Sequence, residues 1–119
     1  MDLRVKTKIS KLYRFESAHY LPYLPSEHRC RNLHGHNYSV VVTIEGPVLD
    51  NGFIMDFADL DTLVLPLIQT VDHRLLNEVE GLSNPTAELI AQWFLDRIPV
   101  AASVRLYENA DSWVEVSRC

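Results

Sequence analysis

The apolar positions divide the chain into stretches of two distinct periods. Over residues 7–17, Ile9, Tyr13 and Phe15 fall at even spacing, with mostly charged or polar residues between them and Lys11 interrupting. That alternation predicts a strand. Pro22, Pro25 and Ser26 mark a loop reaching to about Arg31. Residues 36–45 are dense in β-branched side chains (Val40, Val41, Val42, Thr43, Ile44), which predicts a second strand, stopped by Gly46-Pro47. Asp50-Asn51-Gly52 reads as a turn.

The period then changes. Phe57, Leu60, Leu63, Val64, Leu67, Ile68 and Val71 recur at three- and four-residue steps, predicting a helix capped by Asp56, with Asp59 favourable in its first turn. Pro66 lies inside this pattern and predicts a kink or break. A second helix is predicted with Asn84 as cap, Pro85 at its first position, Leu89, Ile90, Trp93 and Phe94 as its buried stripe, and Pro99 as its end. Residues 104–108 and 113–116 read as a final hairpin around Asn109-Ala110-Asp111. The fold class that follows is α+β: one domain over residues 1–119, an antiparallel sheet with helices on one face.

Composition narrows the partners. The 119 residues suffice for one core and are 47% hydrophobic. No segment approaches the roughly 20 apolar residues that cross a bilayer. Met1-Asp2-Leu3-Arg4 shows no leader pattern, so a cytoplasmic location is the default expectation. The net charge of −5, with Lys and Arg scattered apart from a short basic run at His28–Arg31, argues against nucleic acid and leaves room for a small anionic ligand. Two cysteines, Cys30 and Cys119, make no disulfide framework.

The chemistry concentrates at histidines. In an extended chain, residues two apart share a face, so His34 and His36 can aim at one point. His19 follows the first strand, and a hairpin-like pairing brings it beside them. Gly35 removes a side chain where the two ligands converge. Three imidazoles with an open fourth position suit catalytic zinc, although imidazole alone does not select zinc over iron, nickel or copper. Cys30, flanked by Arg29 and Arg31, has three readings: a fourth metal ligand, a base or nucleophile, or a small buried residue. Asp72-His73 is either a carboxylate orienting an imidazole or an exposed polar pair at a helix end. Glu108 continues the phase of Val104 and Leu106, so its carboxylate either reaches solvent or takes two donors, as from a heterocycle with an amino group beside a ring N–H. Glu88 is most simply a favourable charge in a helix's first turn.

Phe15-Glu16-Ser17-Ala18-His19, Cys30-Arg31-Asn32-Leu33-His34-Gly35-His36-Asn37-Tyr38, Asp56-Phe57, Leu60, Asp72-His73-Arg74-Leu75-Leu76-Asn77, Asn84-Pro85-Thr86-Ala87-Glu88 and Tyr107-Glu108 stand in one order along the chain. In this the sequence resembles the 6-pyruvoyl-tetrahydropterin synthase family, more closely its bacterial 6-carboxy-5,6,7,8-tetrahydropterin synthase branch, on the short spacing from Cys30 to His34. The resemblance implies a tunnelling fold with a four-stranded antiparallel sheet, two helices on one side, and assembly into a barrel, commonly trimers stacked as hexamers with active sites between subunits. It implies Zn2+ on His19, His34 and His36, and proton transfer by Cys30 and by Asp72 with His73. It also implies pterin contacts from Glu108, Thr86 and Glu88. The implied reaction converts 7,8-dihydroneopterin triphosphate to 6-carboxy-5,6,7,8-tetrahydropterin, acetaldehyde and triphosphate on the route to queuosine. Arg29, Arg31 and His28 would be the triphosphate contacts. The alternatives are the pyruvoyl branch and a non-catalytic zinc- or pterin-binding module. No glycine-rich dinucleotide motif is present, in keeping with an internally balanced redox step. In one departure, relatives commonly carry Thr after the anchoring Glu, where this chain has Asn109-Ala110.

Overall fold

A computed structural model describes residues 5–119; the N-terminal residues 1–4, read above for a leader, lie outside the described residues. Two long strands, β1 (Thr7–His19) and β2 (His34–Gly46), pair antiparallel in continuous register from Thr7 opposite Gly46 to His19 opposite His34. After β2 come helix α1 (Phe57–Val71), helix α2 (Ala87–Arg97) and the short strands β3 (Ser103–Tyr107) and β4 (Trp113–Ser117). The sheet order is β1-β2-β3-β4, all antiparallel, as the two periods predict.

One face of the sheet is apolar. Tyr13, Phe15, Tyr38, Val40, Val42, Ile44, Val104 and Leu106 are buried against Leu60, Val64, Ile68 and Val71 of α1 and Ile90, Ala91 and Phe94 of α2. Phe15 stacks on Tyr38 at 4.8 Å between ring centroids. Fully burying side chains of this size is worth roughly 1.5–3 kcal/mol each, so this face sets the register. Lys11, the interruption in the alternation, occupies the same face at the sheet edge. Its ammonium meets both oxygens of Asp61 on α1, at 2.7 and 2.8 Å, and the Tyr13 hydroxyl donates to that carboxylate at 2.6 Å. A charge on the core face is therefore tolerated because a helix carboxylate covers it.

The hairpin outruns the rest of the sheet: β3 pairs with β2 only over residues 39–43. The radius of gyration is consequently 16.0 Å, against roughly 13.5 Å for a compact chain of this length. The overhanging end carries the histidines.

Three local expectations need correction. Helix α2 is capped by Thr86, whose hydroxyl accepts the Leu89 N–H at 3.2 Å, not by Asn84; Pro85 stays outside the helix because its carbonyl is held elsewhere, as shown below. With the start moved, the buried residues are Ala87, Ile90, Ala91, Trp93, Phe94 and Leu95; Ile90, Trp93 and Phe94 are buried as expected, and Leu89 turns outward at 45% exposure. Phe57 and Leu63 of α1 are likewise exposed. Finally, α1 runs unbroken from residue 57 to 71 with Pro66 inside it. Pro66 sits on the solvent side, where water can take the carbonyl of exposed Thr62 that proline leaves without a helical donor.

An alanine tolerates this exposed helical position better than proline, while proline restricts the unfolded chain; the first effect is the larger. Pro66→Ala should therefore stabilise the protein by about 1–2 kcal/mol, seen as a higher urea midpoint at unchanged slope.

Candidate active site

The apolar face of the hairpin ends in imidazoles. On β1, Tyr13, Phe15, Ser17 and His19 share one face; on β2, His34, His36, Tyr38 and Val40 share the facing positions. The pairing of His19 with His34 and Ser17 with His36 then gathers the three rings. Their centroids lie 4.5, 5.1 and 5.0 Å apart, and one ligating atom from each falls within 4.8 Å of the others. The sequence expectation of a tripod from two adjacent strands holds.

The second nitrogen of two rings is already committed. His19 Nδ1 lies 2.8 Å from the Pro85 carbonyl, with the Tyr38 hydroxyl 3.2 Å from the same nitrogen. His34 Nδ1 lies 2.7 Å from the Asn32 carbonyl. A carbonyl only accepts, so each Nδ1 carries the proton and each Nε2 presents a lone pair. Those two Nε2 atoms face each other at 2.9 Å. Two lone pairs at that distance repel unless a cation or proton lies between them. His36 Nε2 is buried and has no hydrogen-bond partner, standing 3.5 Å from a Glu108 oxygen. Three convergent imidazoles, one orphaned and two opposed, fit a metal ion, which relieves both costs.

Burial pushes the His19 and His36 imidazoles below the usual value; the neighbouring His34 adds to this in both, and Glu108 opposes it. Neutral imidazole is the form that ligates. Burial also raises the Tyr38 phenol, with Glu108 adding to it, so Tyr38 keeps its proton.

Gly35 does not make room for the ligands. It alternates to the helix-free face, where an added Cβ would meet the Ser17 carbonyl at 3.5 Å, an ordinary contact.

Cys30 stands in a single 3₁₀ turn, Arg29–Arg31, half-buried. His28 Nδ1 accepts its N–H at 3.1 Å, and its carbonyl accepts Leu21 N–H at 2.9 Å. Among the described residues the ligand cluster contains three imidazoles and no thiolate, so the reading of Cys30 as a fourth ligand finds no support here. Two of the three proposed triphosphate contacts are partly committed locally: His28 caps the turn, and Arg31 donates to the Leu24 carbonyl at 3.0 Å.

Asp72 and His73 do face each other. Asp72 ends α1 as its cap, and its carboxylate lies 2.9 Å from His73 Nδ1. The backbone of His73 is left-handed (φ 54°), an uncommon conformation for a side chain with a Cβ. Contacts from β1 hold it there: His73 N–H donates to the Glu16 carbonyl at 2.6 Å, and Ala18 N–H to the Arg74 carbonyl at 3.0 Å. The Ser17 hydroxyl contacts the Val71 carbonyl at the helix end. Asp72 also accepts the Glu16 N–H at 2.9 Å, and this bond, with His73 adding to it, holds its carboxyl below the usual carboxylate range.

Glu108 follows the last residue of β3 and points back to His36. It borders a cavity of about 610 Å³ beside the unpaired end of β2, lined also by Gly35, His36, Asn37, Tyr107 and Asn109. Asn109, the departure noted above, spends its side-chain oxygen on the N–H groups of Asp111 and Ser112, at 2.9 and 2.8 Å, and so shapes the β3–β4 turn behind Glu108. Thr86 adjoins Pro85, the partner of His19, but its own hydroxyl caps α2; Glu88 is exposed in the first turn of that helix. Sequence reasoning missed Pro85, Asn32, Tyr38 and Glu16. Only Asn32, two residues before His34, left a local signal.

A family model described as 6-pyruvoyl tetrahydropterin synthase matches residues 8–119. A 6-carboxy-5,6,7,8-tetrahydropterin synthase of Synechocystis is 36% identical over 115 residues, covering 87% of this chain and 88% of that protein. A dihydroneopterin monophosphate aldolase of Pyrococcus furiosus is 36% identical over 94 residues, covering 79% and 76%. In fold, the chain matches the 6-pyruvoyl tetrahydropterin synthase of Caenorhabditis elegans with a TM-score of 0.86 at 23% identity, covering 97% of each chain.

A metal ion held by the three imidazoles should raise the melting temperature, and a chelator should reverse the gain, because the opposed lone pairs then lose a cation. The remaining stability should depend on pH in a set direction. His19 and His36 bind protons less readily folded than unfolded, so their contribution is present above the ordinary value of 6.5 and is lost as pH falls below it. Melting of chelated protein across pH 5–8 (an interval of about 1.5 units either side of that value) checks the sign.

Proposed function

The chain belongs to the 6-pyruvoyl tetrahydropterin synthase family, and from that premise we propose that it is a zinc-dependent carbon–carbon lyase converting 7,8-dihydroneopterin triphosphate to 6-carboxy-5,6,7,8-tetrahydropterin with release of acetaldehyde and triphosphate. The observation that carries this is the orphaned His36 Nε2 standing 3.5 Å from Glu108 at one cavity. A cation and a carboxylate suited to a pterin ring then serve the same small space. The Synechocystis relative bears the name of this activity.

Each residue has a task in this reading. Glu108 offers two oxygens to the amino group and adjacent ring N–H of the pterin, a pairing that fixes ring orientation. Burial keeps the imidazoles of His19 and His36 neutral, and His19 is fixed by Pro85 and His34 by Asn32, so three donors are preorganised for Zn2+. Bound zinc supplies Lewis acidity to oxygens of the substrate side chain. Cys30 takes a proton from that side chain, and His73, oriented by Asp72, forms the second proton-handling unit. We assign Thr86 and Glu88, at the start of α2, as further pterin contacts.

The Asp72–His73 unit lies on the outer edge of β1, whereas the Glu108 cavity opens between β2 and the β3–β4 turn. Two strand spacings, about 10 Å, separate them. A second copy docking along the free strand edges would bring one chain's Asp72–His73 to another's cavity; we infer trimers stacked as hexamers, acting in the cytoplasm on the queuosine route. That assembly also covers the exposed edges of β1 and β4.

Incubation with 7,8-dihydroneopterin triphosphate should yield acetaldehyde and the carboxypterin by mass, dependent on zinc. Pyruvoyl product without acetaldehyde moves the reading to the sister branch. Preference for a monophosphate substrate moves it toward the activity named for the Pyrococcus relative. Cys30→Ala should lower turnover by about 10²–10⁴-fold with zinc content intact. Unchanged turnover in that variant favours a non-catalytic module, and loss of zinc makes Cys30 a ligand.

A further inference from the structure

Glu16 lies outside the roles assigned above, yet it touches the Asp72–His73 unit three times. Its N–H donates to Asp72 Oδ1 at 2.9 Å, its carbonyl accepts His73 N–H at 2.6 Å, and its carboxylate oxygen stands 3.8 Å from His73 Nε2. The imidazole is thus flanked by carboxylates at both nitrogens: Asp72 at Nδ1 and Glu16 at Nε2. The left-handed backbone of His73 is what turns the ring toward residue 16, and the Glu16 carbonyl stabilises that turn.

The two carboxylates are not equivalent. Asp72 is locked as an acceptor by a backbone N–H and by His73 Nδ1. A proton reaching the ring at Nε2 has to leave from Nε2, and Glu16 is the carboxylate beside that atom. Glu16 also borders a second cavity of about 290 Å³, lined by Ser17, Gly35, His36 and Asn37, large enough for several waters. Its side chain is 62% exposed. The neighbouring cation Arg74 lines a different cavity with Glu78 and Glu80, and Arg14 pairs with neither carboxylate among the described residues.

We propose that Glu16 is a positioning and proton-exit residue: it steers His73 Nε2 and passes the proton taken there to water. The inference rests on the lyase reading. In the step concerned, a substrate C–H bond breaks, its electron pair stays on the substrate, and the proton moves to His73 Nε2, then to the Glu16 carboxylate and to solvent. A different proton from the same exchanged pool is later delivered to a pterin ring carbon, so no oxidant or reductant is consumed.

The test runs zinc-loaded protein in deuterium oxide and reads deuterium at the pterin ring of the product by mass. The wild type should incorporate solvent deuterium almost fully. E16Q should retain at least threefold more protium, with kcat reduced about tenfold, KM and zinc content unchanged, and partial recovery in E16D. Equal deuterium content in wild type and E16Q overturns the proposal, as does a wild type that incorporates none. In parallel, ¹⁵N spectra of the histidine side chains should show the His73 Nε2 signal moving in E16Q while Nδ1 stays; an unmoved Nε2 signal also overturns it. If wild type forms no carboxypterin at all, the lyase reading fails instead, and the nitrogen spectra alone decide whether Glu16 engages the ring. Should E16Q not fold, E16A carries the same comparisons.

Discussion

Every part of the site depends on the register of one hairpin. Because side chains alternate across a strand, a slip of one residue between β1 and β2 would send His19 to the solvent face while leaving His34 and His36 behind. The register is held by the apolar pairs running up to the imidazoles: Ile9 with Ile44, Tyr13 with Val40, Phe15 with Tyr38. Their burial favours one alignment over its neighbours by several side chains at once. The imidazole cluster is therefore the last rung of a hydrophobic ladder, placed by the same forces that form the core.

That placement has an electrostatic consequence. A ring at the end of an apolar face loses water, and His19 is only 1% exposed. Desolvation drives it and His36 to the neutral form, the form a cation requires, while the carbonyls of Pro85 and Asn32 dictate which nitrogen is free. The arrangement costs the metal-free chain two opposed lone pairs and one orphaned nitrogen. Stability is surrendered locally at a site whose geometry is fixed by the packing around it, a trade commonly seen where binding is the purpose.

Periodicity made the sheet, both helices and the imidazole tripod legible, because each depends on spacing within a segment or on one hairpin pairing. What escaped has long-range causes. The start of α2 looked like Asn84-Pro85, yet the Pro85 carbonyl is drawn to His19, 66 residues away, and the cap passes to Thr86. Lys11 looked like a break in a strand because nothing local announces Asp61 on α1. Asp72 and His73 could not be paired from adjacency, since neighbours face each other only if the backbone turns sharply. The left-handed φ of His73 makes that turn, and contacts from Glu16 and Ala18 on β1 hold it. Glu16 carried no signal of its own: on the helix-free face of an edge strand, a glutamate is ordinarily just solvated.

The division of the site across the sheet bears on why this fold suits assembly. The imidazoles and Glu108 are complete within one chain, since all are placed by β1, β2 and the end of β3. The Asp72–His73–Glu16 group is placed by the end of α1 against the outer edge of β1. Neither group needs the other in order to form, so a lone chain gathers the imidazoles beside Glu108 and leaves the Asp72–His73–Glu16 group at the outer edge of β1. In our reading, edge-to-edge docking supplies that group through main-chain pairing, which is indifferent to side-chain identity. On that reading the geometry of a joint active site follows from strand spacing and register, the two quantities that a β-sheet controls best.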